Sequence, residues 1–275
     1  MRGVDAQTLE AIAAELDAAQ RGARMIAPFA ARYPGFDLDA AYAAAARVHA
    51  QRLARGRKPL GRKIGFTNRS IWPLYGVDGP MWAYVYADTM IEARDGCATV
   101  PLAGLVQPRI EPEICLRVRG PVPVTDDPAA VLAACDAYCH SIEIVHSHFP
   151  DWHFALPDAA ADSALHGLLI VGRWRSISPA DLGNLADTLR DARVTLSRGA
   201  SLVAEGRGGN ALDHPASALG FLAEVLSRRA DAPPLASGEI ISTGTLTDAF
   251  PVKAGETWST AWSTSALDGL AIDFV

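Results

Sequence analysis

The chain has 275 residues, 49% of them hydrophobic and 20% charged, with a formal net charge of −6. That length and composition suit a large globular unit with a real core, and the acidic balance gives no support to nucleic-acid or anionic-membrane binding. No run approaches the roughly eighteen apolar residues of a membrane span, and Cys97, Cys115, Cys135 and Cys139 are too sparse for a disulfide scaffold, which leaves a cytoplasmic protein acting on a small molecule.

The N-terminal stretch MRGVDAQTLEAIAAELDAAQ sets acids among alanines at helical spacing and lacks the apolar segment and cleavage site of a secretion signal. We expect an amphipathic helix from about Thr8, a break at RYPGFD, and a second helix over LDAAYAAAARVHAQRLARG. Asp37 or Asp39 is its N-cap and Gly56 its stop. The basic run RLARGRKPLGRK, from Arg52 to Lys63, has no interleaved aromatic residue and reads as a solvated helix end and loop.

Beyond it the texture changes to short apolar runs punctuated by Gly, Pro and Asp. Strands are expected at RKIGF, AYVYADTMIE, RIEPEICLRV, SIEIVHS, HGLLIVG, ARVTLSR, EIISTGT and TWSTAWS, with helices around 128–139, 179–190 and 215–229. Helices do not alternate regularly with these strands, so a doubly wound parallel sheet is disfavoured. The expected class is α+β: a mixed, curled sheet over residues 60–275 with a helical N-terminal appendage over residues 1–59. Cys135 and Cys139, placed on the helix around 128–139, have no second Cys/His pair at zinc spacing and read as small buried side chains. The glycines of GRGGN lack the sequel of a phosphate loop and mark a turn.

The segment QPRIEPEICLRV carries Glu111 and Glu113 one residue apart in a strand-like run. Residues i and i+2 of a strand share a face, so these carboxylates stand side by side, about 7 Å apart at the backbone. Buried without a partner they would repel; a hard divalent cation would take oxygens from both. Pro112 between them suggests an edge or a bulge. Glu143, between two isoleucines in HSIEIVHS, is a third strand carboxylate in need of a partner. Three carboxylates from two strands match what Mg²⁺ or Mn²⁺ accepts, while solvent-facing strand positions account for the spacing equally well. Lys63, in GRKIGFT, could stabilise charge developing on a metal-bound anion.

These residues resemble the 2-oxopent-4-enoate hydratase and 4-oxalocrotonate decarboxylase group of the fumarylacetoacetate hydrolase superfamily. The resemblance runs from about Leu60 to Phe274 through GRKIGFT, YGVDGP, QPRIEPEI, SIEIVHS, DWHF, GNALDHPASALGFLAEVL and LASGEIISTGTLTDAFPVKAGETW. It implies a β-roll with a helical N-terminal part and a divalent metal, Mg²⁺ or Mn²⁺, on Glu111, Glu113 and Glu143. It also implies Lys63 as the catalytic lysine, shared with substrate binding, and a 2-oxo acid that chelates the metal where enolate charge develops. A homo-oligomer is implied too, as is a complex with a related pathway enzyme. The activity implied is a lyase acting on a short 2-oxo or 2-hydroxydienoic acid from aromatic ring cleavage. A C–C hydrolase or β-keto acid decarboxylase, and a silent metal- and acid-binding partner subunit, stand as alternatives.

The departures from that family fall where protons move. Met81 stands where the hydratases carry an acid after GVDGP, and DSALHG places Ser163 and Leu165 where Asn and Ser are usual. His166 follows, and His146 and His148 occupy the HSH segment. His166 or His148 is therefore the expected replacement proton relay. Thr243 and Thr245, in STGT, are expected at the substrate pocket, against the plainer role of satisfying their own backbone.

Overall fold

The computed structural model describes residues 3–229 and 232–275. Asp5 accepts the Thr8 N–H at 2.8 Å and starts helix α1 (Ala6–Gly22); a single turn, α2 (Phe29–Arg32), precedes the RYPGFD break. Asp37 then accepts the Ala40 N–H at 3.0 Å and starts α3 (Leu38–Ala54), so Asp37 rather than Asp39 is the cap. Gly56 lies just past the C-cap. The basic run that follows is not a solvated face throughout. Arg52, Arg62 and Lys63 are buried, while Arg57 pairs with Asp88 at 2.8 Å and Arg55 with Asp17.

Fourteen strands form among the described residues, in two sheets. In chain order they are β1 (Pro59–Gly65), β2 (Met81–Tyr86), β3 (Met90–Glu92), β4 (Cys97–Val100), β5 (Arg109–Val118), β6 (Cys135–Val145) and β7 (His166–Val171). There follow β8 (Arg175–Ser176), β9 (Arg193–Arg198), β10 (Ser201–Arg207), β11 (Ile240–Ser242), β12 (Phe250–Pro251), β13 (Thr257–Trp262) and β14 (Ala271–Phe274). The larger sheet runs β2-β1-β11-β5-β6-β7-β3, with β12 on β5 and β8 on β6; the smaller runs β10-β9-β13-β14-β4. Parallel pairs, β1 with β11, β3 with β7 and β4 with β14, interrupt antiparallel ones, so both sheets are mixed as expected. Five helices lie between strands: α4 (Trp72–Tyr75), α5 (Pro128–Leu132), α6 (Leu156–Ala161), α7 (Leu182–Asp191) and α8 (Pro215–Ser227).

Three expectations need correction. The helix expected over 128–139 stops at Leu132, and Cys135 already begins β6. Pairing with β5 along nearly the whole of β6 outweighs local helical preference, so Cys135 and Cys139 lie on a strand. The run AYVYADTMIE is two strands, because Thr89 accepts the Tyr86 N–H at 3.3 Å and donates to the Tyr86 carbonyl at 3.0 Å, turning the chain between β2 and β3. Nor is Pro112 at a sheet edge, for β5 lies in the middle of the larger sheet. Its carbonyl accepts from Leu246 N, so its nitrogen also faces the gap between β11 and β12, where no ladder donor is required.

An apolar cluster joins Ile12, Leu16 and Val48 of the N-terminal helices to Ile64 and Met81 of β1 and β2 and to Leu219 and Leu222 of α8. A second, containing Ile110, Ile142, Ile144, Leu196, Trp258 and Ile272, brings the larger sheet against the smaller. Asp158, 0% exposed in α6, stitches the N-terminal region to this body by accepting from Phe29 N at 2.7 Å, Ala30 N at 2.9 Å and Ala155 N at 2.9 Å. Replacing it by alanine strands those donors away from water. Asp158→Ala is expected to lower the free energy of unfolding by about 2 kcal/mol or more, measured by urea denaturation, with Asp158→Asn recovering part of the loss.

Candidate active site

Strands β5 and β6 are paired so that Glu111 lies opposite Glu143 and Glu113 opposite Ser141. Side chains alternate along a strand, so Ile110, Ile142 and Ile144 enter the inter-sheet core while the three glutamates share the other face. One oxygen from each carboxylate can be chosen so that all lie within 4.8 Å of one another, and Glu111, Glu113 and Glu143 are 8%, 0% and 0% exposed. Burial penalises the charged forms and the neighbouring carboxylates add repulsion. Together they push Glu113 up to about 8 and Glu111 well above the ordinary carboxylate range, while burial alone moves Glu143 upward against the pull of Lys63.

Each inner carboxylate has a dedicated support. Glu113 Oε2 accepts the Ser242 hydroxyl and, at 3.0 Å, the Gly244 N–H, whereas its Oε1 is buried with no hydrogen-bond partner. Gly244 has φ +98°, and a Cβ there would stand 1.8 Å from Thr67 Oγ1, so only glycine brings this N–H to the carboxylate. Glu143 Oε1 accepts from His166 Nδ1 at 2.8 Å, and its Oε2 is ion-paired with Lys63 Nζ at 3.1 Å.

Lys63 is 2% exposed. Burial works against its charge, but Glu143, Glu111 and Glu113 outweigh that and hold the amine above its ordinary value. Its Nζ also donates to the Ala164 carbonyl at 2.9 Å. That carbonyl is presented by three successive left-handed residues, Ser163, Ala164 and Leu165, at φ 55°, 49° and 63°. Non-glycine residues rarely adopt this conformation, and the cost is on the order of 1 kcal/mol each. Asp162 anchors the turn by accepting from Gln20 Nε2 at 2.9 Å and from His148 Nδ1 at 2.8 Å.

Lys63 and Glu111 open onto a cavity of about 20 Å³, whose lining also includes Phe66, Tyr75, Met81, Trp152, Leu165 and Thr245. The structure therefore brings Lys63 and the three glutamates together, sets His166 behind Glu143, and leaves His148 away from the cavity. His166 and His148 are not in that lining. Both nitrogens of His166 are engaged, Nδ1 by Glu143 and Nε2 by the Thr89 hydroxyl at 2.9 Å; burial and the Lys63 charge hold its pKa well below the ordinary value. His148 is 0% exposed and directed at Asp162. Neither is placed as a proton relay to the cavity. Thr243 donates to the Ile114 carbonyl at 2.8 Å, the plainer of the two expected roles, while Thr245 reaches the lining. Ser242, Gly244, Tyr75 and Trp152 were not singled out from sequence. Ser242 had a signal: it sits in the same apolar strand run as Thr243, opposite Cys115.

No family model matches the chain. It is 32% identical over 257 residues to 2-hydroxyhexa-2,4-dienoate hydratase of Comamonas testosteroni, covering 92% of each chain. It is 34% identical over 249 residues to 2-keto-4-pentenoate hydratase 2 of Dechloromonas aromatica, covering 90% of each. Among solved structures, 4-oxalocrotonate decarboxylase from Pseudomonas putida G7, complexed with magnesium and adipate, superimposes with a TM-score of 0.88 at 25% identity over 100% of both chains. Conserved length, a common architecture and identity above 30% to several relatives lead to one placement: the chain belongs to the 2-keto-4-pentenoate hydratase and 4-oxalocrotonate decarboxylase family of the fumarylacetoacetate hydrolase superfamily.

Proposed function

We propose that this chain is a divalent-metal-dependent lyase of the hydratase/decarboxylase type. Its substrate is a short 2-oxo or 2-hydroxydienoic acid from aromatic degradation, its metal ligands are Glu111, Glu113 and Glu143, and its catalytic cation is Lys63. The observation that carries the reading is the cluster of three buried carboxylates beside a buried lysine, which reaches a cavity through Glu111 and Lys63. An all-oxygen donor set of this charge suits Mg²⁺ or Mn²⁺, and the unpartnered Glu113 Oε1 is an oxygen still lacking a cation or donor. The relatives' names, two hydratases and a decarboxylase complexed with magnesium, support the same chemistry. Among the described residues no helix is long and apolar enough to cross a membrane, and the four cysteines are free, which fits a reducing cytoplasm.

A bound dication supplies a Lewis acid for the carboxylate and adjacent oxygen of a 2-oxo acid. Lys63 adds a positive charge held in place: it donates to the Ala164 carbonyl and is ion-paired with Glu143, which aims the amine before substrate arrives. Ser242, Gly244 and His166 fix the carboxylates in orientation, the part that outer hydrogen bonds play around metal ligands. Met81 and Leu165 set apolar surface against the cavity and limit water there. This last feature favours decarboxylation as the second reading, since hydration must admit a water molecule.

Purified protein with Mg²⁺ should bleach the ultraviolet absorbance of 2-hydroxypenta-2,4-dienoate or 2-hydroxyhexa-2,4-dienoate, and excess chelator should stop it. Chelator-insensitive decay would overturn the metal-dependent reading, and carbon dioxide release from a 2-oxo-enedioate without hydratase activity would select the second. Lys63→Met is expected to cut turnover by about 100-fold or more with Mg²⁺ affinity retained. His166→Gln is expected to weaken Mg²⁺ binding by about 10- to 100-fold, measured by calorimetry; a variant that loses turnover with metal affinity intact would restore the histidine to a proton-transfer role.

A further inference from the structure

We infer that the structure holds a second binding site, for a small aromatic carboxylate, on the far side of the strand that carries Lys63. Side chains alternate along β1 and β2. Their pairing sets Arg62 opposite Tyr84 and Ile64 opposite Trp82, so these face away from Lys63 and Ala83. Helix α3 lies over that reverse face and presents Tyr42, Ala45, Ala46 and His49, the i, i+3, i+4 and i+7 positions of one helical stripe. The two alanines between the rings leave room. The resulting cavity is about 60 Å³, against about 20 Å³ beside Lys63 and Glu111.

Its walls are rings. Tyr42 stacks on Trp82 with centroids 5.5 Å apart and His49 on Tyr84 at 3.8 Å, while His49 Nδ1 and the Tyr86 hydroxyl lie 2.6 Å apart. The charge around them is positive and short of counter-ions. Arg52, 9% exposed, donates to Gln20 Oε1 at 2.6 Å and makes no ion pair with the described residues. Behind the rings Arg62, 1% exposed, sets its guanidinium 5.5 Å from the Trp82 centre and 5.2 Å from that of Tyr84. Its Nη2 donates to the Pro233 carbonyl, but its Nε and Nη1 make no hydrogen bond and its carboxylate partner, Glu239, is 3.7 Å away. Burial and these two arginines hold His49 down at about 4, so the imidazole is neutral. Trp82, 7% exposed, adds a buried Nε1 donor with no partner. Buried donors and cations without acceptors cost free energy that an anion removes, and the flat walls favour an anion that carries a ring.

Ser163 also lines this cavity. It opens the left-handed turn whose Ala164 carbonyl receives Lys63, and Gln20 joins it to Arg52. A carboxylate that draws Arg52 off Gln20 loosens that turn, so occupancy is read at the amine through a contiguous set of contacts.

Benzoate is the probe. Titrated calorimetrically into protein freed of metal by chelator, it is expected to bind at a single site, about tenfold or more tightly than acetate, with benzylamine, the same ring bearing a cation, not binding. Arg52→Gln should weaken it about tenfold or more and Trp82→Phe about fivefold. Ala45→Leu, which fills the space and removes no charge, should abolish binding, and Lys63→Met should leave it unchanged. Neither metal nor turnover enters this measurement, so the site and the lyase reading fail separately. Absence of benzoate binding, equal binding of benzylamine, or binding lost in Lys63→Met but kept in Arg52→Gln and Ala45→Leu overturns the site. During Mg²⁺-dependent turnover of the dienoate, saturating benzoate is expected to lower kcat about fivefold or more with KM unchanged. An unchanged kcat overturns the link to Lys63.

Discussion

Everything at this site follows from setting three carboxylates and one ammonium in a place that water scarcely reaches. Three negative charges against one positive leave −2, which a low-dielectric interior does not tolerate. Burial raises the pKa of each glutamate, and carboxylate repulsion adds to it at Glu111 and Glu113, so protons are one answer to the imbalance. A divalent cation answers the same imbalance without protons.

The register of a single strand pair makes that deficit possible. Glu111 meets Glu143 directly across β5 and β6, a like-charge pairing that would destabilise an exposed sheet. Here the pair is central, with isoleucines on the reverse face packed against the second sheet, so the register is set by the core. The proline that looks like a strand breaker is tolerated because β11 and β12 part at that point. Through the same opening the 243–247 segment comes in to hold Glu113 with the Gly244 N–H.

How much of this was legible in sequence depends on the kind of information each part needs. Strand β5 was readable to the residue, because ten residues of alternation bounded by proline and loop leave little choice. The glutamate cluster was readable as a question of charge: Glu111 and Glu113 by their spacing, Glu143 by its isoleucine neighbours. Sequence could not tell which nitrogen of a histidine is already occupied. His166 and His148 looked like acid/base groups by type, yet Glu143, Thr89 and Asp162 engage them from positions distant in the chain. The inward turn of Arg62 and the left-handed run at Ser163–Leu165 were likewise hidden, since both are imposed by packing against residue types that local rules place elsewhere.

The N-terminal helices, which sequence suggests are an appendage, are continuous by hydrogen bonds with the turn that supports Lys63. Arg52 of α3 donates to Gln20 of α1 at 2.6 Å, and Gln20 donates both to Asp162 and, at 3.2 Å, to the Ser163 hydroxyl. Asp162 in turn is gripped by His148, and the next three residues are the left-handed turn whose middle carbonyl receives Lys63. Three residues in a disfavoured conformation persist only where their surroundings over-determine them. Here the surroundings are a buried His–Asp pair on one side and a helix-borne glutamine on the other. The helices thus do more than cover the sheet: they supply polar contacts that hold a strained carbonyl beside the amine, and the support of the candidate site extends to residues far outside the glutamate strands.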